Sequence, residues 1–252
     1  MVVKFRKKIV AGNWKMNKSV LEARDLATGI VKELDGALDV DVVLCPPFTA
    51  LKTVGEVLME TAIKLGAQNM HWEASGAFTG EVSPAMLRDL YCHYVIVGHS
   101  ERRQFFSETD ETVNRKVKAA QASNLTPIVC VGETLQERQG GQMKDVVRRQ
   151  LERGLAGVDL RKLIVAYEPV WAIGTGVNAS PDQAQEMHAC IRSVLSEIGG
   201  NDLAQSVRIQ YGGSMKPSNA KDLLAQPDID GGLIGGAALE ARSFVDIVRA
   251  GG

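Results

Sequence analysis

Glu168 stands directly before Pro169, His99 opens the polar run Ser100-Glu101-Arg102-Arg103, and Lys15 follows Asn13 and Trp14. Proton-transfer chemistry could be built from these side chains. A residue before proline is kept out of the helical conformation, so Glu168 reads as an extended, fixed carboxylate suited to abstracting a proton. A structural ion pair is the plainer use of a lone glutamate, and a lone histidine can be a hydrogen-bonded core residue. His99 gains meaning from the run it opens, which can begin a short helix. A helix N-terminus disfavours a cation, so the imidazole would stay neutral and donate a hydrogen bond. Lys15 is a cation able to neutralise a phosphate or a developing enolate. Two glycine pairs, Gly212-Gly213 and Gly235-Gly236, offer bare backbone N–H groups of the kind that bind phosphate. The segment Pro169-Val170-Trp171-Ala172-Ile173-Gly174-Thr175-Gly176 has a rigid start, an apolar middle and small residues at its far end. A hinged lid would be written this way, although a static loop could be too.

Short apolar runs must carry these groups. They recur at Lys8–Ala11, Asp41–Cys45, Ile63–Ala67, Tyr94–Val97, Pro127–Val131, Leu163–Tyr167, Val207–Tyr211 and Leu233–Ile234. Most are continuously apolar, as expected of parallel strands covered on both faces. Helical patterns lie between them. Ser19 with Glu22 reads as a capping box before Ala23, Leu26, Ile30 and Leu34; Ser180 with Pro181 and Gln183 reads as another before Met187, Ile191, Val194, Leu195 and Ile198. Ser83-Pro84 repeats the start signal. Dividing the 252 residues by eight gives 252/8 = 31.5, about the length of one strand–helix unit. These observations predict an α/β fold, one (β/α)8 barrel over residues 1–252, with a doubly wound open sheet as the alternative. Catalysis in such a barrel is expected at the C-terminal strand ends. Asn13 and Lys15, Gln68 and Asn69, His99 to Glu101, Cys130 and Glu133, Glu168, and both glycine pairs fall there. The connection from Asn69 to Val82 is long for a compact domain and has no helical period. Its Trp72 and Phe78 would sit poorly in water, which marks the loop as a candidate interface.

Composition excludes other classes. Lys and Arg number 29 against 30 Asp and Glu, so no overall field attracts nucleic acid or an anionic membrane. Glycine stands at 25 of 252, about 10% against a usual ~7%. Four cysteines, Cys45, Cys92, Cys130 and Cys190, form no C-x-x-C, and the reading is a reducing, cytoplasmic setting. The four histidines show no ligand-like spacing, so no metal site is expected.

The segments AGNWKMN, VIVGHSERR, PIVCVGETLQER, AYEPVWAIGTG, YGGS and GGLIGGA, in this order, resemble the triosephosphate isomerase family along essentially the whole chain. The resemblance implies interconversion of dihydroxyacetone phosphate and D-glyceraldehyde 3-phosphate through an enediolate, a step of glycolysis and gluconeogenesis. It implies Glu168 as base, His99 as neutral electrophile, and Lys15 with Asn13 as the groups that steady the enediolate. Glu101 and Cys130 would support them, and no metal or organic cofactor would be required. Backbone amides of Gly174, Ser214, Gly235 and Gly236 would hold the phosphate beneath the 169–176 lid. The family's homodimer would bring Thr79 to the partner's active site. Two other readings of the same residues are a Schiff-base aldolase using Lys15 and a silent phosphate-binding module. The aldolase would form a covalent adduct that borohydride traps on lysine; isomerisation through Glu168 leaves the lysines unmodified.

Overall fold

The computed structural model describes residues 6–34, 39–173 and 179–252. Eight parallel strands, β1 (Ile9–Asn13), β2 (Asp41–Cys45), β3 (Lys64–Ala67), β4 (Tyr94–Val97), β5 (Thr126–Val131), β6 (Ile164–Tyr167), β7 (Arg208–Tyr211) and β8 (Gly231–Ile234), close into a barrel in sequence order. The ring is sealed where β1 pairs with both β2 and β8, Ile9 lying opposite Asp41 on one side and Gly231 on the other. Closure leaves no open edge, and this settles the choice against the doubly wound sheet.

Side chains alternate inward and outward along the strands, and most on either side are apolar. Ile9, Ala11, Ile128, Cys130, Ile164 and Ala166 fill the barrel interior, whereas Val10, Val129, Val165 and Tyr167 pack against the surrounding helices. Two-sided burial is why the strands read as continuous apolar runs. The helices are α1 (Val20–Glu33), α2 (Leu51–Leu58), α3 (Pro84–Asp89), α4 (Ser100–Phe105), α5 (Asp110–Ala122), α6 (Leu135–Gln139), α7 (Met143–Gly154), α8 (Pro181–Gly199), α9 (Asn201–Ala204), α10 (Pro217–Leu224) and α11 (Ala241–Arg249). Both capping boxes form, at Ser19–Glu22 and Ser180–Gln183, and Ser83 caps α3. Ala23, Leu26 and Ile30 of α1 and Met187, Ile191, Val194 and Leu195 of α8 are buried as their period predicts. Ile198 is exposed, because it lies past the last buried turn of α8.

Two strand limits differ from the sequence reading in ways that matter to function. β1 runs on to Asn13, paired with Cys45, so Asn13 belongs to the sheet and not to the loop after it. Gly231 and Gly232 do not flank β8 but begin it. Gly231 has φ +146°, and a Cβ there would lie 1.8 Å from the Ile9 carbonyl oxygen. Only bare backbone lets the last strand meet the first.

On the outer face His188 of α8 is fully buried against Tyr167 and Tyr211, with Nδ1 3.0 Å from the Asp228 carbonyl oxygen. Burial pushes its pKa down to about 4, below the ordinary 6.5, although the Asp228 carbonyl pulls the other way. The unfolded chain therefore binds the proton first as pH falls, and stability contributed by the neutral ring above pH 6.5 is lost on the way down to about 4. That shift corresponds to about 3 kcal/mol. Urea midpoints measured from pH 7.5 to 4 should fall accordingly, and His188→Gln should flatten the fall; an unchanged slope would refute the assignment.

Candidate active site

All strands point their C-terminal ends at one rim, and Asn13, Lys15, His99, Ser214, Gly235 and Gly236 meet there. At β1, Asn13 is buried and its Oδ1 accepts from the Lys15 backbone N–H at 3.1 Å. Lys15 has a left-handed backbone, φ 53°, which for a residue with a side chain costs on the order of 1 kcal/mol. Gln68, after β3, holds that conformation: its Nε2 donates to the carbonyls of Lys15 and Cys45, both at 2.9 Å. The Lys15 ammonium lies 2.5 Å from Glu101 Oε1. Its charge is thus offset before any ligand arrives.

After β4 the chain turns at Gly98, φ +72°, where a Cβ would press on Val113, and delivers His99 as the N-cap of α4. His99 Nδ1 accepts from the Glu101 backbone N–H at 3.2 Å. The Glu101 carboxylate is 3.6 Å from the same nitrogen but is engaged by Lys15. An accepting Nδ1 leaves the ring proton on Nε2, so this hydrogen-bond network assigns the neutral tautomer.

Glu168 does not face the cavity in which the other groups converge. It is 1% exposed, with Oε2 accepting from the Ser100 N–H at 2.9 Å, Oε1 from the Ser100 hydroxyl at 3.0 Å, and Oε1 3.0 Å from His99 Nε2. Burial pushes this carboxyl up, yet His99 and the Ser100 donors outweigh it and hold it below the usual value. For His99 burial pulls the pKa down, and the Glu168 carboxylate more than reverses that. Moving the carboxylate away would leave burial and the helix terminus, both favouring the neutral ring. Cys130 lies beside Glu168 inside the barrel, and burial raises its thiol well above the ordinary value.

Behind Glu168 the chain that follows β6 is anchored on Glu133, a fully buried carboxylate. Glu133 accepts from the Tyr167 hydroxyl at 3.0 Å, Trp171 Nε1 at 2.8 Å and Arg138 at 3.0 Å, and the Arg138 guanidinium stacks over the Trp171 ring. Val170–Ala172 form a short 3-10 turn after buried Pro169, with Ile173 half-buried. Gly174, Thr175 and Gly176 lie outside the described residues.

The ends of β7, β8 and β1 wall a cavity of about 460 Å³. Asn13, Lys15, His99, Ile173, Ser214, Gly235 and Gly236 line it, as do Gly212, Gly213 and Lys216. Glu168 lines a neighbouring hollow with Ser100, Val170 and Trp171. Thr79 is remote from this site within the chain and is exposed at the tip of the 69–82 loop. In that loop Trp72 is partly covered, stacked on His71 with Arg115 across its ring, whereas Phe78 is 43% exposed. Sequence reasoning had placed Gln68, Ser100 and Glu133 near strand ends without a role, and it missed Lys216. Its signal was a lysine where the start of a proline-led helix normally carries a capping oxygen.

Rim chemistry beside a small hollow walled by backbone amides belongs to the (β/α)8 enzymes that act on phosphorylated small molecules. The family pattern described as "Triosephosphate isomerase" matches residues 8–251. Curated proteins named triosephosphate isomerase include one from Chloroherpeton thalassium, 55% identical over 248 residues covering 97% of this chain and 98% of the relative. Another, from Carboxydothermus hydrogenoformans, is 56% identical over 247 residues with 97% and 98% covered. The chain belongs to the triosephosphate isomerase family.

Gln68→Ala should release the left-handed Lys15 backbone and lower kcat/KM in a triose phosphate assay about tenfold, the equivalent of one lost buried hydrogen bond. Unchanged kinetics would show that Asn13 alone suffices to hold it.

Proposed function

We propose that Glu168, His99, Lys15 and Asn13 carry out the interconversion of dihydroxyacetone phosphate and D-glyceraldehyde 3-phosphate. The observation that carries this reading is the contact between Glu168 and His99 at the edge of a cavity walled by Lys15, Ser214, Gly235 and Gly236. A base and a hydrogen-bond donor in contact need only separate slightly to grip the two sides of a carbonyl-bearing carbon pair.

Substrate enters with its phosphate on the amides of Ser214, Gly235 and Gly236, joined by Gly174 of the lid. Glu168 rotates from Ser100 into the cavity and takes a proton from the carbon next to the carbonyl. The electron pair moves toward the carbonyl oxygen, where His99 Nε2–H and the Lys15 ammonium meet the growing negative charge. Asn13 holds Lys15 in place. His99 Nε2 gives its proton to the former carbonyl oxygen and takes one from the adjoining hydroxyl, while the protonated Glu168 returns its proton to the neighbouring carbon, completing ketose–aldose exchange with no net gain or loss of atoms. Closing the 169–176 lid keeps water out and prevents the enediolate from expelling its phosphate. Glu101 offsets Lys15 in the empty site, and Cys130 stays a neutral thiol that fills space behind the base.

The working unit is read as a cytoplasmic homodimer that binds neither nucleic acid nor membrane. Met16, next to Lys15, is 96% exposed, and Phe78 and Met86 are exposed as well. Such apolar side chains around an active-site loop suit burial against a second copy. Thr79 would then approach the partner subunit's Asn13 and the partner subunit's Lys15. None of the described helices is long and apolar enough to cross a membrane, and all four cysteines are free.

A coupled assay should show isomerisation without added metal, and its failure would overturn the reading. Glu168→Asp draws the base back by about one bond length and should lower kcat about a hundredfold, with a smaller change in substrate binding. Sedimentation should report a dimer; a folded species of 27.2 kDa would refute the interface while leaving the chemistry untouched.

A further inference from the structure

Two lysines and no carboxylate line the phosphate cavity, in a chain whose acids and bases are otherwise balanced. Lys15 is one, and Glu101 offsets it at 2.5 Å. Lys216 is the other; it is exposed and makes no ion pair among the described residues. It is therefore the uncompensated positive charge at this mouth.

Its position runs against the needs of its own helix. Lys216 is the N-cap of α10, a place that favours a side-chain oxygen to accept a free N–H. Ser19, Ser83, Thr109 and Ser180 supply such oxygens to α1, α3, α5 and α8. Lysine has none to offer and sets a cation at the positive end of the helix dipole. Only the reciprocal half of the cap is kept, Asn219 Oδ1 accepting from the Lys216 backbone N–H at 2.8 Å. Helix stability does not account for the residue, whereas a flexible ammonium at the rim of an anion cavity does.

We propose that Lys216 captures the substrate: its ammonium draws the phosphate dianion to the mouth of the cavity and holds it until the backbone amides of Ser214, Gly235 and Gly236 take over. This inference rests on the isomerase reading above. The attraction acts on the encounter and not on the proton transfer, so it raises kcat/KM and leaves kcat alone. An exposed charge is also screened by salt, with a Debye length of about 8 Å at physiological ionic strength.

Lys216→Ser is the informative variant, because it restores a capping oxygen while removing the charge. It should melt at the same or a higher temperature than the unaltered protein. Its kcat/KM should be about fivefold lower at low ionic strength and converge with the unaltered value as salt is raised. Lys216→Arg should keep most of the activity. Inorganic phosphate, titrated calorimetrically at low salt, should bind Lys216→Ser several-fold more weakly, a readout independent of turnover. An identical salt dependence and an identical phosphate affinity would overturn the proposal. If the unaltered protein fails to isomerise triose phosphates, the functional reading falls, and the phosphate titration still decides the role of Lys216.

Discussion

Parallel strands satisfy their backbone hydrogen bonds all round only when the last pairs with the first, and here Ile9 to Gly12 pair with Gly231 to Ile234. The seam is tight enough that a Cβ on Gly231 would overlap the Ile9 carbonyl. Everything at the rim follows from this closure. It brings β1 beside β8, and so sets Asn13 and Lys15 across from Gly235 and Gly236, residues more than two hundred positions away in the chain. An open sheet with the strands in this same order would leave the lysine and the glycine pair at opposite edges.

Within the rim, the charges are occupied with one another. Glu101 offsets Lys15, and His99 and Ser100 hold Glu168. Each arrangement lowers the cost of burying a charge. Glu168 has its carboxyl held below the usual value by the same donors. A carboxylate held by donors in this way is ionised, and the donors that keep it so also lower its basicity for as long as they stay in contact.

A second buried carboxylate orders the chain that follows β6. Glu133 gathers Tyr167, Trp171 and Arg138, so the chain is pinned at both Tyr167 and Trp171, with Glu168 lying between the two pinned residues.

Local patterns carried far in the sequence. Two-sided burial wrote the strands as apolar runs, capping boxes at Ser19 and Ser180 started their helices where they were read, and the motif order around His99, Glu168 and the glycine pairs identified the family. Asn13, Lys15, His99, Ser214, Gly235 and Gly236 were all placed at strand ends from sequence, and all line one cavity. What a linear pattern cannot express is a contact between side chains set by closure. That Glu168 rests on Ser100 and His99, that Gln68 steadies a left-handed Lys15, that Glu133 anchors Trp171, and that Lys216 has no counter-charge among the described residues all depend on distances across the ring. Periodicity reports which face of its own element a residue occupies; only the tertiary pairing of β1 with β8 decides which residues of other elements that face will meet.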